Sequence, residues 1–332
     1  MRSTVSTSRA RGPLLVIGFL ALFAVVGAVP RTGAAGAPGA RALDFLVVGD
    51  WGRDGDFRQR DVAVQMDSTA RARGVRFVIS TGDNFYDDGV PSVDSDRWRK
   101  SFEDVYTGPG LAVPWYVVLG NHDYRGNPQA QIDYSRRSER WRMPARYFMR
   151  REKLPAGGSA DLFFLDTNVF IEGYQKDAKY SDLAAQSAGG QVRWLERGLK
   201  SSTADWRIVI GHHPVYSKGA SHGDTPELIA QLKPLLDRYH VQLYVNGHDH
   251  DLQHIVVDGV DYVTSGAGSL TRPTNRRPGP RFTLGRTAGF VAFSLTRDSL
   301  RASYIDWRGA ERYRSSRGRT AASAAPDTSA TR

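Results

Sequence analysis

The 332-residue chain contains no cysteine. That excludes disulfides, thiolate metal sites and cysteine nucleophiles, so stability must come from core packing and any bound metal. It also lacks any Asn-x-Ser/Thr acceptor, which excludes N-linked glycosylation. No internal repeat and no Pro/Gly/Ser-rich linker interrupts the middle of the chain. Residues 41–312 therefore read as a single domain large enough to bury a substantial core. Acidic residues are in the minority, with 45 Lys and Arg against 35 Asp and Glu and a formal net charge of +10. A basic surface suits an anionic substrate, nucleic acid or lipid headgroups alike. The chain has no nucleic-acid module and no basic stripe interleaved with aromatics, so most of this charge is expected on a solvated surface, and the protein is expected to be a monomer.

Long hydrophobic runs are scarce too. The principal one, Leu14 to Val29, follows Arg2, Arg9 and Arg11 and precedes small residues from Gly33 to Ala40. A basic segment, an apolar run and small residues make a secretory leader. The run is short for a membrane span, which needs about 20 residues. Residues 1–40 are thus expected to be a signal peptide or signal anchor with a small-residue linker, cut at Ala28 or Ala34 if cleaved. The protein would be exported, periplasmic or extracellular, and would meet a membrane only through an uncleaved leader. Residues 313–332, rich in Ser, Ala, Thr and Arg, read as a disordered tail.

Short apolar runs supply the architecture. Ala42–Val48 ends in Gly49-Asp50-Trp51-Gly52, Val75–Ile79 leads to Gly82-Asp83-Asn84-Phe85-Tyr86, and Pro114–Leu119 ends in Gly120-Asn121-His122-Asp123. Trp206–Ile210 ends in Gly211-His212-His213-Pro214, and Val241–Val245 leads to Gly247-His248-Asp249-His250. Helical periodicity lies between them, at Val62, Met66 and Ala70 and over 98–105, 192–199 and 228–236. Strands alternating with helices imply parallel pairing, while the runs at 253–257, 262–265, 290–295 and 300–305 make the C-terminal part β-rich. The expected fold is α/β, with two packed mixed sheets flanked by helices. Ligands of such sheets collect at the carboxyl ends of strands, so the five motifs should converge.

Each motif alone is weak, since Gly-Asp after a strand is most often a turn. Their distribution is stronger evidence. Of eight histidines, His122, His212, His213, His248 and His250 all fall at strand ends, whereas His222, His240 and His254 do not. With Asp50, Asp83, Tyr86 and Asn121 they offer mixed oxygen and imidazole donors, a set suited to iron, manganese or zinc.

The series GDWG, GDNFY, GNHD, GHHP and GHDH resembles the signature of the purple acid phosphatases of the calcineurin-like metallophosphoesterase superfamily. The likeness is closest to their small, tartrate-resistant type. It extends through Phe102–Tyr106, Val113–Asn127, Ala130–Ser135 and Ser265–Gly268, and covers roughly residues 42 to 310. The resemblance implies a four-layer αββα sandwich and a binuclear centre bridged by Asp83. Asp50, Tyr86 and His250 would complete an Fe(III) site; Asn121, His212 and His248 would complete a site for Fe(II), Zn(II) or Mn(II). A hard trivalent ion favours carboxylate and phenolate, and the divalent one takes imidazole and amide.

Tyr86 discriminates within the superfamily. Many metallophosphoesterases place a histidine two residues after the first aspartate, where this chain has Gly52, and a phenol three residues after Asp83 can fill the gap. The implied reaction is hydrolysis of phosphate monoesters by hydroxide that the metals activate. His122 and His222 are the candidates for positioning substrate or protonating the leaving group, and Asp123 and Asp249 for orienting imidazoles. His213 reads as a pocket wall, Asp87 and Asp88 as turn residues, and Arg272–Arg286 as a surface loop. Two alternatives stand beside this reading: a divalent-metal phosphodiesterase of the same superfamily, and a non-catalytic metal-binding module.

Overall fold

Alternation within the first strand divides the molecule into layers. The computed structural model describes residues 42–275 and 279–319. In the strand Leu43–Val48, Leu43, Phe45 and Val47 pack into one core and Leu46 and Val48 into another, because successive side chains leave a strand on opposite faces. The first core lies between two sheets, where Phe45 stacks on Phe77 at 5.1 Å and on Phe293 at 5.0 Å between ring centroids. The second is shared with Val62, Met66 and Ala70 of the helix α1 (Gln59–Arg73), the residues whose four-residue spacing marked that helix.

The strands in chain order are β1 (Leu43–Val48), β2 (Phe77–Ser80), β3 (Trp115–Val117), β4 (Trp141–Arg142), β5 (Phe148–Lys153), β6 (Ser159–Phe164) and β7 (Trp206–Ile210). They continue with β8 (Leu243–Asn246), β9 (Leu252–Val257), β10 (Val260–Ser265), β11 (Phe282–Leu284), β12 (Gly289–Leu295), β13 (Ser299–Asp306) and β14 (Glu311–Gly318). They form two 7-stranded sheets, ordered β14-β13-β12-β1-β2-β3-β4 and β11-β9-β10-β8-β7-β6-β5. Both are mixed: β1, β2, β3 and β4 run parallel in one, and β6, β7, β8 and β10 in the other, while β12 on β1, β5 on β6 and β9 on β10 pair antiparallel. The expected α/β class with two packed, helix-flanked sheets is the fold observed.

Four differences have local causes. The periodic segment 228–236 is two helices, Pro226–Gln231 and Lys233–Arg238, because Pro234 cannot continue the ladder of a preceding helix. Residues Trp98–Glu103 wind as a π-helix rather than an α-helix. The pair β5 and β6 adds to the strands expected from apolar runs, and β5 reads FMRREK because it lies at a sheet edge. The boundary placed at 312 is corrected: β14 runs from Glu311 to Gly318, paired with β13 from Tyr304↔Tyr313 to Ser299↔Gly318. Its polar sequence is that of an edge strand, and backbone pairing rather than burial holds it. The leader, residues 1–40, the end of the tail from 320 and residues 276–278 of the Arg-rich loop lie outside the described residues. Among the described residues no helix is long and apolar enough to cross a membrane.

The edge pair supplies a pH-dependent contribution to stability. Asp161 on β6 is buried, and Arg151, opposite it on β5, donates to it from Nε at 2.6 Å and Nη2 at 2.7 Å, while Ser202 Oγ donates at 2.6 Å. Burial opposes ionisation of this carboxyl, but the bonds from Arg151 and Ser202 prevail and hold it below the ordinary value of 3.8. A carboxyl depressed in the fold stabilises above its unfolded pKa and loses that stabilisation as pH falls. Asp161→Asn is therefore expected to cost about 1–3 kcal/mol at pH 7, and less at pH 3. Urea unfolding at the two pH values checks this; an equal deficit at both rules the ion pair out as the cause.

Candidate metal centre

Trp51 and Phe85 anchor the motif loops. Both are fully buried, their rings meet at 5.7 Å, and Trp51 Nε1 donates to Ser80 Oγ at 2.9 Å. The aromatic residues of GDWG and GDNFY thus fasten each loop to the core and leave the neighbouring polar residues facing one another. Asp50, Asp83 and His248 have φ of 59°, 50° and 68°, a left-handed conformation uncommon outside glycine and held here by the surrounding packing.

Two clusters of donor atoms result, and Asp83 has an oxygen in each. In the first, the Tyr86 hydroxyl lies 3.0 Å from Asp50 Oδ1, 2.7 Å from Asp83 Oδ2 and 3.1 Å from His250 Nε2. In the second, Asn121 Oδ1 lies 3.1 Å from His212 Nε2 and 3.0 Å from His248 Nδ1, and His212 Nε2 lies 3.5 Å from Asp83 Oδ1. All seven candidate ligands, Asp50, Asp83, Tyr86, Asn121, His212, His248 and His250, are brought together and buried.

Proton inventory tests whether this set fits a cation. His250 Nδ1 donates to the Leu270 carbonyl at 2.9 Å, and His212 Nδ1 to the Thr81 carbonyl at 2.8 Å. A carbonyl only accepts, so the inward Nε2 of each ring carries a lone pair. The single Tyr86 proton then faces three acceptors and can satisfy one. Lone pairs crowded in a dry cavity are unfavourable unless a cation lies among them. Electrostatics point the same way. Burial and the neighbouring Asp83 push the Asp50 carboxyl well up, whereas the attraction of His212 and His122 in their protonated forms, with bonds from the Tyr86 hydroxyl and the His122 amide, outweighs burial and holds Asp83 at about 2. Burial depresses His212 and His248 and, with Arg272, takes His250 to about 3, so these imidazoles are neutral and able to ligate. Burial and both aspartates push the Tyr86 phenol up. The donors fit a pair of cations.

Glycines make the approach possible at two places. A Cβ on Gly120 would lie 2.2 Å from both the Asp83 nitrogen and its Oδ1. A Cβ on Gly52 would lie 1.8 Å from the Asn84 carbonyl oxygen, so the histidine found there in other metallophosphoesterases has no room, and Tyr86 occupies the first cluster instead.

His122 and His222 flank the clusters. The His122 ring lies 4.3 Å from that of Tyr86, with Nε2 4.0 Å from Asp83 Oδ2, and the His222 ring lies 4.1 Å from that of His248. His213, read as a wall, has its ring 5.0 Å from that of His212 and 4.5 Å from that of His248, so that it groups with these two donors; its Nδ1 meets Thr167 Oγ1 at 2.8 Å and its Nε2 meets Tyr174 at 3.3 Å. Asp123 and Asp249 require correction, because neither carboxylate bonds an imidazole. Asp123 accepts from the Asn84, Phe85 and Gly120 amides and from Asn84 Nδ2 and Gln131 Nε2 at 2.8–3.2 Å, which ties GDNFY to GNHD. Asp249 accepts from Ser217 Oγ. The imidazoles of His212 and His250 are oriented by the Thr81 and Leu270 carbonyls, which no side-chain pattern reveals. Two arginines carry no sequence assignment, Arg53, 3.7 Å over the Tyr86 ring, and Arg125, with Nη1 3.0 Å from His122 Nδ1; a third, Arg272, expected in a surface loop, lies 3.3 Å from His222 Nε2. Arg53 directly follows GDWG, and Arg125 lies two residues after GNHD, the one signal the sequence carried.

Residues 43–252 match the calcineurin-like phosphoesterase family. The chain is 37% identical over 319 residues to purple acid phosphatase 7 of Arabidopsis thaliana, covering 91% of this chain and 95% of that protein. It is 37% identical over 288 residues to tartrate-resistant acid phosphatase type 5 of Homo sapiens, covering 81% and 88%. Among solved structures, an anchor protein of the inner membrane complex of Plasmodium is similar with a TM-score of 0.74 and 25% identity, covering 84% of this chain and 90% of that one.

Proposed function

The chain belongs to the purple acid phosphatases of the calcineurin-like phosphoesterase family, and on that premise we propose an exported acid phosphatase that hydrolyses phosphate monoesters at a binuclear centre. Its enzyme class is acid phosphatase, a metal-dependent hydrolase. The observation that carries the finer reading is the carboxylate of Asp83, with Oδ2 beside Tyr86 and Oδ1 beside His212. Asp50, Tyr86 and His250 would hold Fe(III) with it, and Asn121, His212 and His248 would hold Fe(II), Zn(II) or Mn(II). What the metals would supply is Lewis acidity toward water and toward the phosphoryl oxygens.

The chain's own residues do the rest. His122, with its side chain 18% exposed, stands at the mouth, its Nδ1 between the Asp87 carbonyl and Arg125. It is the candidate to hand a proton to the leaving oxygen. His222 stands beside His248 and is held by Arg272, where it can orient the ester. Arg53, over the Tyr86 ring, brings positive charge to the first cluster. Export rests on the leader alone.

Visible absorption tests the metal assignment. Iron-loaded protein is expected to be purple from tyrosinate-to-Fe(III) charge transfer, and Tyr86→Phe to be colourless. Colourless wild-type protein active with manganese or zinc would promote the divalent phosphodiesterase. A fold does not decide function, as the Plasmodium anchor illustrates; a protein that binds no metal and hydrolyses no phosphate ester would be a non-catalytic module.

A further inference from the structure

Beside the metal centre lies an open cavity of about 520 Å³, lined by Phe57, Arg58, Arg286, Trp307, Arg308 and Arg312 and by the segment Ser269–Thr271. It shares that segment with the centre. The Leu270 carbonyl accepts from His250 Nδ1 at 2.9 Å, and Ser269 Oγ donates to the Asp50 carbonyl at 2.6 Å. Whatever fills the cavity therefore sits next to the segment that hydrogen-bonds to two candidate ligands, Asp50 and His250.

The lining is strongly cationic. Four guanidiniums face one carboxylate, Asp306, which Arg312 engages at 3.0 Å. Arg58 pairs with Asp61, with both side chains about half exposed, at 56% and 46%, where such pairs contribute little. Among the described residues no carboxylate pairs with Arg286 or Arg308. Trp307 gathers two of these charges, with the Arg58 guanidinium 4.1 Å and that of Arg308 4.5 Å from its ring.

Helix α1 adds to the positive potential. It begins at Gln59 with Arg58 as its N-cap, and no side chain caps its amides. A guanidinium at the positive end of a helix dipole is unfavourable, and Asp61, the one acidic side chain of the first turn, is half exposed and already paired with Arg58. The chain keeps this arrangement at a further cost in backbone strain, since Asp54, Phe57 and Arg58 have φ of 54°, 51° and 77°. At the lip, Phe57 is 56% exposed, an apolar contact for the body of a ligand.

Planar guanidiniums suit the oxygens of a phosphoryl dianion. We propose that this cavity is a subsite for a second phosphoryl group carried by the substrate, so that the enzyme favours bisphosphorylated esters over monophosphorylated ones. The inference rests on the acid phosphatase reading, with one phosphate at the metals and the other among Arg58, Arg286, Arg308 and Arg312.

The test compares kcat/KM for a hexose 1,6-bisphosphate and the hexose 6-phosphate in metal-loaded wild type and in Arg286→Ala/Arg308→Ala. Both arginines are exposed, so the variant should fold. Charge-assisted contacts of this kind correspond to a preference of about 10-fold or more, expressed in KM. The double variant is expected to lose the preference while its monophosphate kinetics stay within about 2-fold of wild type. No preference in wild type, or one that survives in the variant, overturns the proposal. So does a response of monophosphate hydrolysis to inorganic sulfate that the variant abolishes while no bisphosphate preference exists, which would assign the cavity to a free anion. Failure to hydrolyse any phosphomonoester, p-nitrophenyl phosphate included, would instead remove the acid phosphatase reading.

Discussion

Asp83→Asn is expected to lower kcat by more than about 100-fold, beyond the 10–100-fold typical of residues that only support metal ligands. Asp83 is the one candidate ligand with an oxygen in each cluster, near Tyr86 on one side and His212 on the other. The substitution keeps the shape of the side chain and removes its charge. Asparagine also tolerates the left-handed backbone at this position, where φ is 50°. Loss of fold is therefore not the expected cause. Metal analysis should find fewer than two ions per chain in the variant. Full activity with both ions retained would mean that Asp83 does not bridge.

Asp123→Ala should act on stability instead. The buried carboxylate accepts from the Asn84, Phe85 and Gly120 amides and from two side-chain amides. Removing it strands several buried N–H groups at about 1–3 kcal/mol each. The total should reach about 4 kcal/mol or more, a large part of the 5–15 kcal/mol that holds an ordinary domain together. In a domain of this size that corresponds to a Tm lower by roughly 10 °C, and Asp123→Asn, which keeps one acceptor oxygen, should fall between. If Tm were unchanged while kcat dropped, Asp123 would act on an imidazole after all, and the correction drawn from its contacts would be withdrawn.

These two aspartates show where residue patterns stop being informative. Both are acidic residues in a glycine-containing motif that follows a parallel strand, Asp83 directly after Gly82 and Asp123 three residues after Gly120. One has oxygens facing two donor clusters and the other has its oxygens filled by amides. Amide positions depend on how GDNFY and GNHD pass each other, at the contact a Cβ on Gly120 would close. The same holds for Leu270, whose carbonyl orients His250 although its side chain carries no polar atom. The motif glycines were legible as turns, whereas the need for no side chain at Gly52 and Gly120 comes from opposing backbone.

Chemistry written in side-chain types at strand ends was determined by the sequence alone: the donor residues, the absence of thiolate, the replacement of histidine by Gly52 and the choice of Tyr86. So were the layers, because a strand buried on both faces must be apolar along its length, as LDFLVV is at all but one position. Tertiary structure decided what depends on groups every residue shares. Thr81 and Leu270 carbonyls set the imidazole tautomers, amides occupy Asp123, and backbone pairing brings the polar Glu311–Gly318 into the sheet. It also decided which of the many arginines gather around one cavity, since their sequence positions, from 58 to 312, hold no period that would bring them together. Side-chain identity is local and readable from a chain, while backbone hydrogen bonding and charge clustering depend on long-range packing.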